Sequence, residues 1–275
     1  MMASNLIKPV IATDTISKPV PISSNPFTEA KTKSDHGDLL SARDVLNNAL
    51  LSGNLNEADT ESAKKQIATL NQTLIFSPKH YANDPFGGVY SVKPGQKLAT
   101  IANEHGISWQ LLLKLNGMSD PRKLRAGQTL KVLNGPMHAV VTKSKFTMDI
   151  YLGSPGEAGS MYVTTFNVGL GKDDSTPTGK WIIKDKVTHP TYYSPRGEGV
   201  INSDDPKNPL GPYWLGLTGT DGHAVGKASY GIHGTIEPDS IGKLASMGCV
   251  RLRNEEIAVV YDLLIEQKST VLVKD

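Results

Sequence analysis

The spacing of apolar residues changes along this chain of 275 residues, from helical in the first part to alternating in the second. Between Asp38 and Ile75, two apolar runs have near-helical spacing, with a turn signal at residues 52–54 between them. The second half carries short alternating segments bounded by Gly and Pro, then a helical pattern from Asn254 to Glu266. The sequence therefore predicts a multidomain protein whose C-terminal part is mainly β, of β-sandwich type, with one packing helix.

Shifts in composition divide the chain into four segments. Residues 1–36 are rich in Ser, Thr and Pro and predict a linker without fixed structure. Residues 37–77 predict a helical hairpin that either packs on a neighbour or separates two modules. Residues 88–134 form a small third segment, and residues 137–275 form the β-rich fourth.

Charge and hydropathy exclude two classes of partner. The formal net charge is +2 and no Lys/Arg block occurs, so the sequence lacks the clustered positive charge that nucleic-acid binding requires. No stretch approaches the roughly 20 apolar residues of a transmembrane helix, and we expect no membrane span. The N-terminus lacks a positive segment followed by an apolar one. An exported protein with this sequence would need an atypical signal, or a signal or anchor upstream of Met1.

Residues 88–134 show a strand pattern, two helical patterns and a second strand pattern. Pro94-Gly95 is a turn after the first strand, and Asn116-Gly117 ends the second helix. The segments YSVKPGQKLATIA, LLKLNG and LRAGQTLKV, in this order and spacing, resemble the LysM module. The resemblance implies binding of glycans that contain N-acetylglucosamine. It places Gly95 and Asn116 in the two loops that border the glycan groove.

The single cysteine, Cys249, excludes an internal disulfide and makes a poor zinc site. A lone cysteine is ordinarily a small buried core residue, so its neighbours have to indicate chemistry. His233 is a candidate base for the thiol, and Arg251 would add positive charge on the same face of an extended strand. Gly248 lets a substrate approach the backbone, and the amides of Gly248 and Cys249 are candidate oxyanion donors.

This region is similar to the signature of the YkuD-type L,D-transpeptidases. IHGT at residues 232–235 and SMGCVR at residues 246–251 match the two pieces of the signature at the expected separation. TPTGK at residues 176–180 and NPLG at residues 208–211 match two further segments of the family. The resemblance extends over residues 137–275, about half of the chain.

The resemblance implies a role for each matching residue. Cys249 is the nucleophile and His233 is its general base. The main-chain carbonyl of Gly234 orients the imidazole. Arg251 and Ser246 shape the pocket and support the catalytic turn.

The resemblance also implies that the amides of residues 247–249 donate to the oxyanion and that Thr235 borders the substrate. Tyr213 and Trp214 follow the NPLG segment and either line the substrate groove or pack on the sheet face. Met247 departs from the family, in which most members have His before the Gly-Cys pair. Because the upstream histidine is the family's base, we expect activity to survive. Met247 is then a tolerated variation or an apolar wall that alters acceptor preference or turnover.

The reaction that the resemblance implies is peptidoglycan L,D-transpeptidation by a cysteine acyltransferase. The thiol displaces D-Ala from a tetrapeptide stem, and the thioester passes to an amine of a neighbouring stem to give a 3-3 cross-link. Two alternatives use the same cysteine, as an L,D-carboxypeptidase or as a cross-link hydrolase. A third is a non-catalytic peptidoglycan-binding protein. The implied partners are stem peptides and glycan strands, without metal or cofactor, in the periplasm or cell envelope.

Overall fold

The computed structural model describes residues 25–194, 197 and 199–275. Within them the α-helices are α1 (Pro26–Asp35), α2 (Leu39–Leu51), α3 (Glu57–Leu74), α4 (Leu98–Glu104), α5 (Trp109–Leu115) and α6 (Asn254–Leu263). The strands are β1 (Gly87–Ser91), β2 (Thr129–Leu133), β3 (Met137–Thr142), β4 (Thr147–Leu152), β5 (Met161–Asn167), β6 (Leu170–Gly171), β7 (Gly179–Thr188), β8 (Tyr192–Tyr193), β9 (Val200–Ile201), β10 (Tyr213–Gly219), β11 (Tyr230–His233), β12 (Leu244–Ser246), β13 (Val250–Arg251) and β14 (Thr270–Lys274). In this part of the chain every helix is too short or too polar to span a bilayer.

The C-terminal domain is built on an eight-stranded sheet with the order β13-β11-β10-β7-β14-β3-β4-β5, so β13 and β5 are its edges. The helix α6 packs against β10, and the pairs β6–β12 and β8–β9 form two small additional sheets. Ahead of this domain, β1 and β2 pair antiparallel and enclose α4 and α5 in the chain. The predicted fold class is confirmed: a helical N-terminal region, a βααβ unit and a mainly-β domain with one packing helix.

The helix α1 lies where the sequence predicts a linker over residues 1–36, and that part of the prediction is wrong. The Asn25 side chain caps its first turn, and Pro26 occupies a first-turn position that suits its fixed φ. Only Ala30 is buried, so α1 has no apolar periodicity for a sequence pattern to reveal. Packing on α2 stabilises it instead. The remainder of the predicted linker, residues 1–24, lies outside the described residues.

The βααβ unit and the C-terminal domain share one continuous apolar core. Polar contacts reinforce the same junction. Ser108 caps α5 and its Oγ also donates to the carbonyl of Asp262 in α6 at 2.6 Å. The N–H of Gly135, in the connection between the two units, donates to the carbonyl of His105 at 2.9 Å. The two units therefore have a common interior rather than a loose linker.

The N-terminal helices cover β5, an edge of the eight-stranded sheet. Asn47 in α2 donates to the carbonyl of Ser160 at 2.9 Å and accepts the N–H of Tyr162 at 3.0 Å. Asn71 in α3 donates to the carbonyls of Tyr162 and Val163 at 3.0 and 3.2 Å. An uncovered edge strand presents unpaired backbone groups to other chains. The two asparagines give those groups partners within the molecule.

A buried lysine joins the helical region to the βααβ unit. The Lys131 ammonium, on β2, donates to the carbonyls of Leu74, Ile75 and Ser77 at 2.8, 2.8 and 2.7 Å. These carbonyls lie at the C-terminal end of α3, where a helix leaves acceptors unsatisfied and its dipole favours a cation. Burial lowers the pKa of Lys131 to about 8. Lys131 is thus a cap for α3 supplied by a different unit of the fold.

Asn47→Ala tests whether the helices cap the edge strand. The substitution leaves the N–H of Tyr162 and the carbonyl of Ser160 buried without partners, so we expect the free energy of unfolding to fall by about 1–3 kcal/mol. Urea denaturation followed by circular dichroism measures the change. Asn48→Ala is the matched control, because Asn48 is the next residue of α2 and is exposed. It is expected to change stability by less than about 0.5 kcal/mol; equal losses in the two variants would contradict edge capping.

Candidate active site

A cleft of about 910 Å³ is lined by strands of the eight-stranded sheet, by β8 and by the turn between β12 and β13. Among the residues that the sequence singles out, those lining it are Cys249, His233, Arg251, Ser246, Met247 and Trp214. The thiol and imidazole predicted to act together therefore face the same cavity. No cluster of three or more His, Cys, Asp or Glu side chains within the described residues is arranged to hold a metal ion.

Parallel pairing of β11 with β13 places the imidazole and the thiol on one face. His233 lies opposite Arg251, and Ile232 lies opposite Val250. Ile232 and Val250 are fully buried in the core. Because side chains alternate along a strand, His233 and Arg251 point to the other face, and Cys249, two residues before Arg251, points with them.

His233 is held as a neutral base. Its side chain is only 4% exposed, and Nδ1 lies 2.6 Å from the carbonyl oxygen of Gly234. Since a carbonyl can only accept, Nδ1 is the protonated nitrogen and Nε2 keeps a free lone pair. Burial lowers the pKa of His233 to about 4, with a smaller lowering by Arg251 and an opposing rise from the Gly234 carbonyl. A side chain at Gly234 would lie 2.3 Å from Asn254 Oδ1, so the backbone that supplies this carbonyl requires glycine.

Trp214 covers one face of the imidazole. The two rings are stacked, with centroids 5.7 Å apart and an interplanar angle of 21°. Gly231 leaves room for the indole, since a Cβ there would lie 2.4 Å from it. Tyr213, the preceding residue, instead packs against Tyr261 of α6 with ring centroids 4.7 Å apart. Of the two alternatives for Tyr213, groove lining and packing on the sheet face, the structure has the second, because consecutive residues of a strand face opposite sides.

Cys249 is partly exposed in the cleft. Burial raises the pKa of its thiol, while the amide of Gly231 and the charge of Arg251 act in the lowering direction. The thiol is therefore protonated at neutral pH, and so the resting pair is a neutral thiol and a neutral imidazole rather than an ion pair. Such a pair reacts when the base removes the proton during attack.

Ser246 holds the turn that carries the thiol. Its Oγ donates to the carbonyl of Cys249 at 2.6 Å and accepts the N–H of Gly248 at 3.0 Å. Gly248 has φ of 128°, and a Cβ there would lie 2.6 Å from the ring of Tyr230, so the turn requires glycine. Because the N–H of Gly248 is bonded to Ser246, the prediction that this amide donates to an oxyanion is wrong.

Arg251 and Met247 border the thiol in different ways. Arg251 Nη1 pairs with Glu237 at 2.9 Å, and its Nε is buried with no hydrogen-bond partner among the described residues. Its charge lowers the pKa of both Cys249 and His233. The Met247 side chain is 50% exposed at the cleft, where it presents an apolar surface to whatever enters.

Thr235 does not line the cleft. It is buried, its N–H donates to Asn254 Oδ1 at 3.0 Å, and its Oγ1 accepts the N–H of Glu237 at 3.0 Å. The prediction that Thr235 borders the substrate is wrong, because its polar groups close the turn after β11. Three further cleft residues, Tyr192, Tyr193 and Tyr230, were not singled out from the sequence. Tyr192 and Tyr193 are adjacent aromatics in a polar, Pro-containing segment, and Tyr230 lies two residues before the IHGT segment.

In the βααβ unit, Asn116 is structural. Its Nδ2 donates to the carbonyls of Leu112 and Lys131 at 2.8 and 2.9 Å, and its Oδ1 accepts the N–H of Lys131 at 2.8 Å. Every polar group of this side chain is thus used within the fold, so the side chain of Asn116 has none left to donate to or accept from a glycan. A groove of about 560 Å³ is lined by residues between 117 and 128. Gly95, in an open turn with φ of 77°, is outside that lining.

Comparisons with known proteins add to this geometry. The family model described as the YkuD L,D-transpeptidase catalytic domain matches residues 137–273, and the LysM domain model matches residues 90–133. The chain is 30% identical over 177 residues to the putative L,D-transpeptidase YkuD of Bacillus licheniformis, covering 62% of this chain and 88% of that protein. It is 34% identical over 146 residues to the putative L,D-transpeptidase YqjB of Bacillus subtilis, covering 52% of this chain and 74% of that protein. A solved L,D-transpeptidase from Mycobacterium smegmatis aligns with a TM-score of 0.37 and 17% identity, covering 54% of this chain and 64% of that one.

Arg251→Gln tests the electrostatics of the cleft. Arg251 lowers the pKa of both the imidazole and the thiol, so its removal is expected to raise both values. NMR titration of His233 and the pH dependence of alkylation of Cys249 by iodoacetamide measure the two shifts. Arg253→Gln is the control, because that guanidinium pairs with Glu256 and does not line the cleft. This role of Arg251 would be contradicted if the two pKa values moved in opposite directions, or if Arg253→Gln shifted them by the same amount.

Proposed function

The chain belongs to the YkuD family of L,D-transpeptidases, with a LysM domain ahead of the catalytic domain, and on this premise we propose that it is a peptidoglycan L,D-transpeptidase acting through Cys249. The observation that carries the proposal is the placement of the thiol and the His233 imidazole on one face of the β11–β13 pair, in one cleft. The Gly234 carbonyl fixes the tautomer whose Nε2 can accept the thiol proton. The chain itself thus contains a nucleophile, a base and a group that orients the base.

In the first half-reaction, Nε2 of His233 takes the thiol proton while the sulfur of Cys249 attacks the carbonyl between the third residue of a tetrapeptide stem and its terminal D-Ala. The carbonyl oxygen becomes an oxyanion in the tetrahedral intermediate. The carbon–nitrogen bond then breaks, the imidazolium gives its proton to the departing amine, and D-Ala leaves. A thioester of the stem on Cys249 and a neutral imidazole remain.

In the second half-reaction, an amine of a neighbouring stem attacks the thioester and loses a proton to His233. The new amide forms, the carbon–sulfur bond breaks, and the proton returns to the sulfur as thiol. The product is a 3-3 cross-link between two stems. With water in place of the amine, the same steps give an L,D-carboxypeptidase.

The cleft favours a base that acts during attack over a preformed thiolate. Cys249 and His233 are both neutral at rest, because burial penalises the charged form of each. As attack begins, the charge that develops on the imidazole lies against the face of Trp214. A stacked aromatic face stabilises a cation by about 0.5–2 kcal/mol. Trp214 is therefore proposed to stabilise the transition state as well as to border the substrate.

The LysM domain is proposed to hold the enzyme on the glycan strands of peptidoglycan. Its groove at residues 117–128 is lined by the charged side chains Asp120, Lys123 and Arg125 and by two glycines. Together with the catalytic domain, it indicates a site of action in the cell wall or envelope. A binding protein without catalysis and a hydrolase of existing cross-links remain the competing functions.

Acylation of Cys249 separates catalysis from binding alone. Intact-mass analysis with a carbapenem is expected to show an adduct that disappears in Cys249→Ala. His233→Ala is expected to slow its formation at pH 7 by about 10²–10⁴-fold, the usual contribution of a positioned general base. His223→Ala is the control, since that imidazole is exposed and lies outside the cleft. No adduct on the unaltered protein would favour a binding protein, and a falling amount of cross-linked dimer in treated muropeptides would favour a hydrolase.

Ser119→Trp tests the proposed glycan groove. A bulky ring at this lining position blocks the groove, so we expect the affinity for purified peptidoglycan to fall at least about tenfold. Co-sedimentation measures this affinity. The carbapenem adduct on Cys249 is expected to form at the unaltered rate. Ser62→Trp, on the exposed face of α3, is the control for added aromatic surface. Unchanged sedimentation of Ser119→Trp would place glycan binding elsewhere.

A further inference from the structure

Thr176 is buried beneath the turn between β12 and β13 that carries the thiol, and it does not line the cleft. Its side chain is 4% exposed and its hydroxyl makes two hydrogen bonds. The hydroxyl accepts the N–H of Gly171, at the end of β6, at 2.9 Å. It donates to the carbonyl of Gly248, in the turn beside the thiol, at 2.9 Å. One buried hydroxyl thus bridges β6 and the peptide unit that precedes Cys249.

That hydrogen bond determines the direction of an amide. The Gly248–Cys249 peptide bond is trans, since the cis bond of the described residues is Gly135-Pro136. In a trans peptide the C=O and the N–H point in opposite directions. With the Gly248 carbonyl directed at Thr176 in the interior, the N–H of Cys249 is directed away from the interior, on the side of the cleft.

Three main-chain groups beside the thiol are already occupied. Ser246 accepts the N–H of Gly248 and donates to the carbonyl of Cys249, and Thr176 donates to the carbonyl of Gly248. The N–H of Cys249 makes no hydrogen bond with any residue between 25 and 194 or between 199 and 275. A free amide next to the attacking sulfur is where an oxyanion donor has to be.

We propose that Thr176 is a positioning residue for acyl transfer: its hydroxyl holds the Gly248 carbonyl inward so that the N–H of Cys249 faces the oxyanion. The inference rests on the proposed function, because only acyl transfer develops charge on a carbonyl oxygen. It also gives a physical reason for Thr at the start of the TPTGK segment. The turn needs this support, since Gly248 has φ of 128° and a free glycine samples many other conformations.

The proposal distinguishes two reactions of the same sulfur. Acylation by a carbapenem passes through a tetrahedral oxyanion and needs the amide donor. Alkylation by iodoacetamide displaces iodide at a saturated carbon, so no oxyanion forms and no amide donor is needed. A residue that acts only through the amide of Cys249 therefore affects the first rate and spares the second.

Thr176→Val removes the hydroxyl and nearly keeps the side-chain volume. We expect its rate of carbapenem acylation to fall by about 10- to 100-fold, below the roughly 10²–10³ that complete removal of an oxyanion donor costs. Its rate of iodoacetamide alkylation is expected to stay within about twofold. Thr176→Ser keeps both hydrogen bonds and is expected to restore acylation. Thr178→Val is the matched control, because Thr178 lies in the same turn and its hydroxyl contacts His223 instead.

Intact-mass time courses on the full chain measure both rates. An equal fall of the two rates in Thr176→Val would mean that the whole turn is displaced and would overturn the positioning role, as would unchanged acylation. If Thr176→Val does not fold, Thr176→Ala carries the same comparison, because the smaller side chain admits water to the two partners. A protein that is alkylated but never acylated, before any substitution, would refute the proposed function itself. Loss confined to the Thr176 variants would leave that function standing.

Discussion

The parallel pairing of β11 with β13 is the contact on which the site depends. These strands, of four and two residues, are the shortest of the sheet, yet their register sets His233 opposite Arg251 and so determines where the thiol two residues before Arg251 can point. A slip of one residue would turn the sulfur into the core. Ile232 and Val250 prevent that slip, because both are fully buried on the opposite face. The hydrophobic core thereby specifies the geometry of a polar site.

The same burial that defines the register also sets the chemistry. An imidazole with little exposure and a thiol at the end of a buried strand both resist ionisation, so both are uncharged before a substrate binds, beside the charged guanidinium of Arg251. In the proposed reaction, the Gly234 carbonyl and the indole of Trp214 prepare the imidazole for a charge that develops only during attack. Preorganisation of this kind acts on the transition state more than on the resting enzyme.

Much of this arrangement could be predicted from the sequence, and the remainder failed for identifiable reasons. The fold class, the family, and the meeting of Cys249 with His233 in one cleft follow from short motifs whose chemistry is local. What the motifs could not show is which polar groups the fold already uses: the N–H of Thr235, the side-chain amide of Asn116 and the N–H of Gly248 are each hydrogen-bonded within it. A motif shows that a residue is near a site, whereas only coordinates show which of its polar groups are already bonded.

The first helix and the aromatic wall of the cleft were missed for a different reason. α1 is stabilised by a cap and by packing against α2 rather than by its own apolar periodicity. Tyr192 and Tyr193 belong to a two-residue strand, too short for any alternating pattern to be recognised. In both cases the segment is ordered by contact with the next element of the chain, α2 for α1 and β9 for β8, and not by a periodic pattern of its own.

The shared interior of the βααβ unit and the catalytic domain has an evolutionary corollary. A module tethered by a flexible connector can be gained, lost or exchanged by recombination without harm to its neighbour. Here, removal of the βααβ unit would expose apolar residues of the shared core to water. It would also leave the carbonyls at the end of α3 without the ammonium of Lys131. Both sides of the junction would have to mutate together. The LysM domain of this protein is consequently not an interchangeable module, because its interior is continuous with that of the catalytic domain.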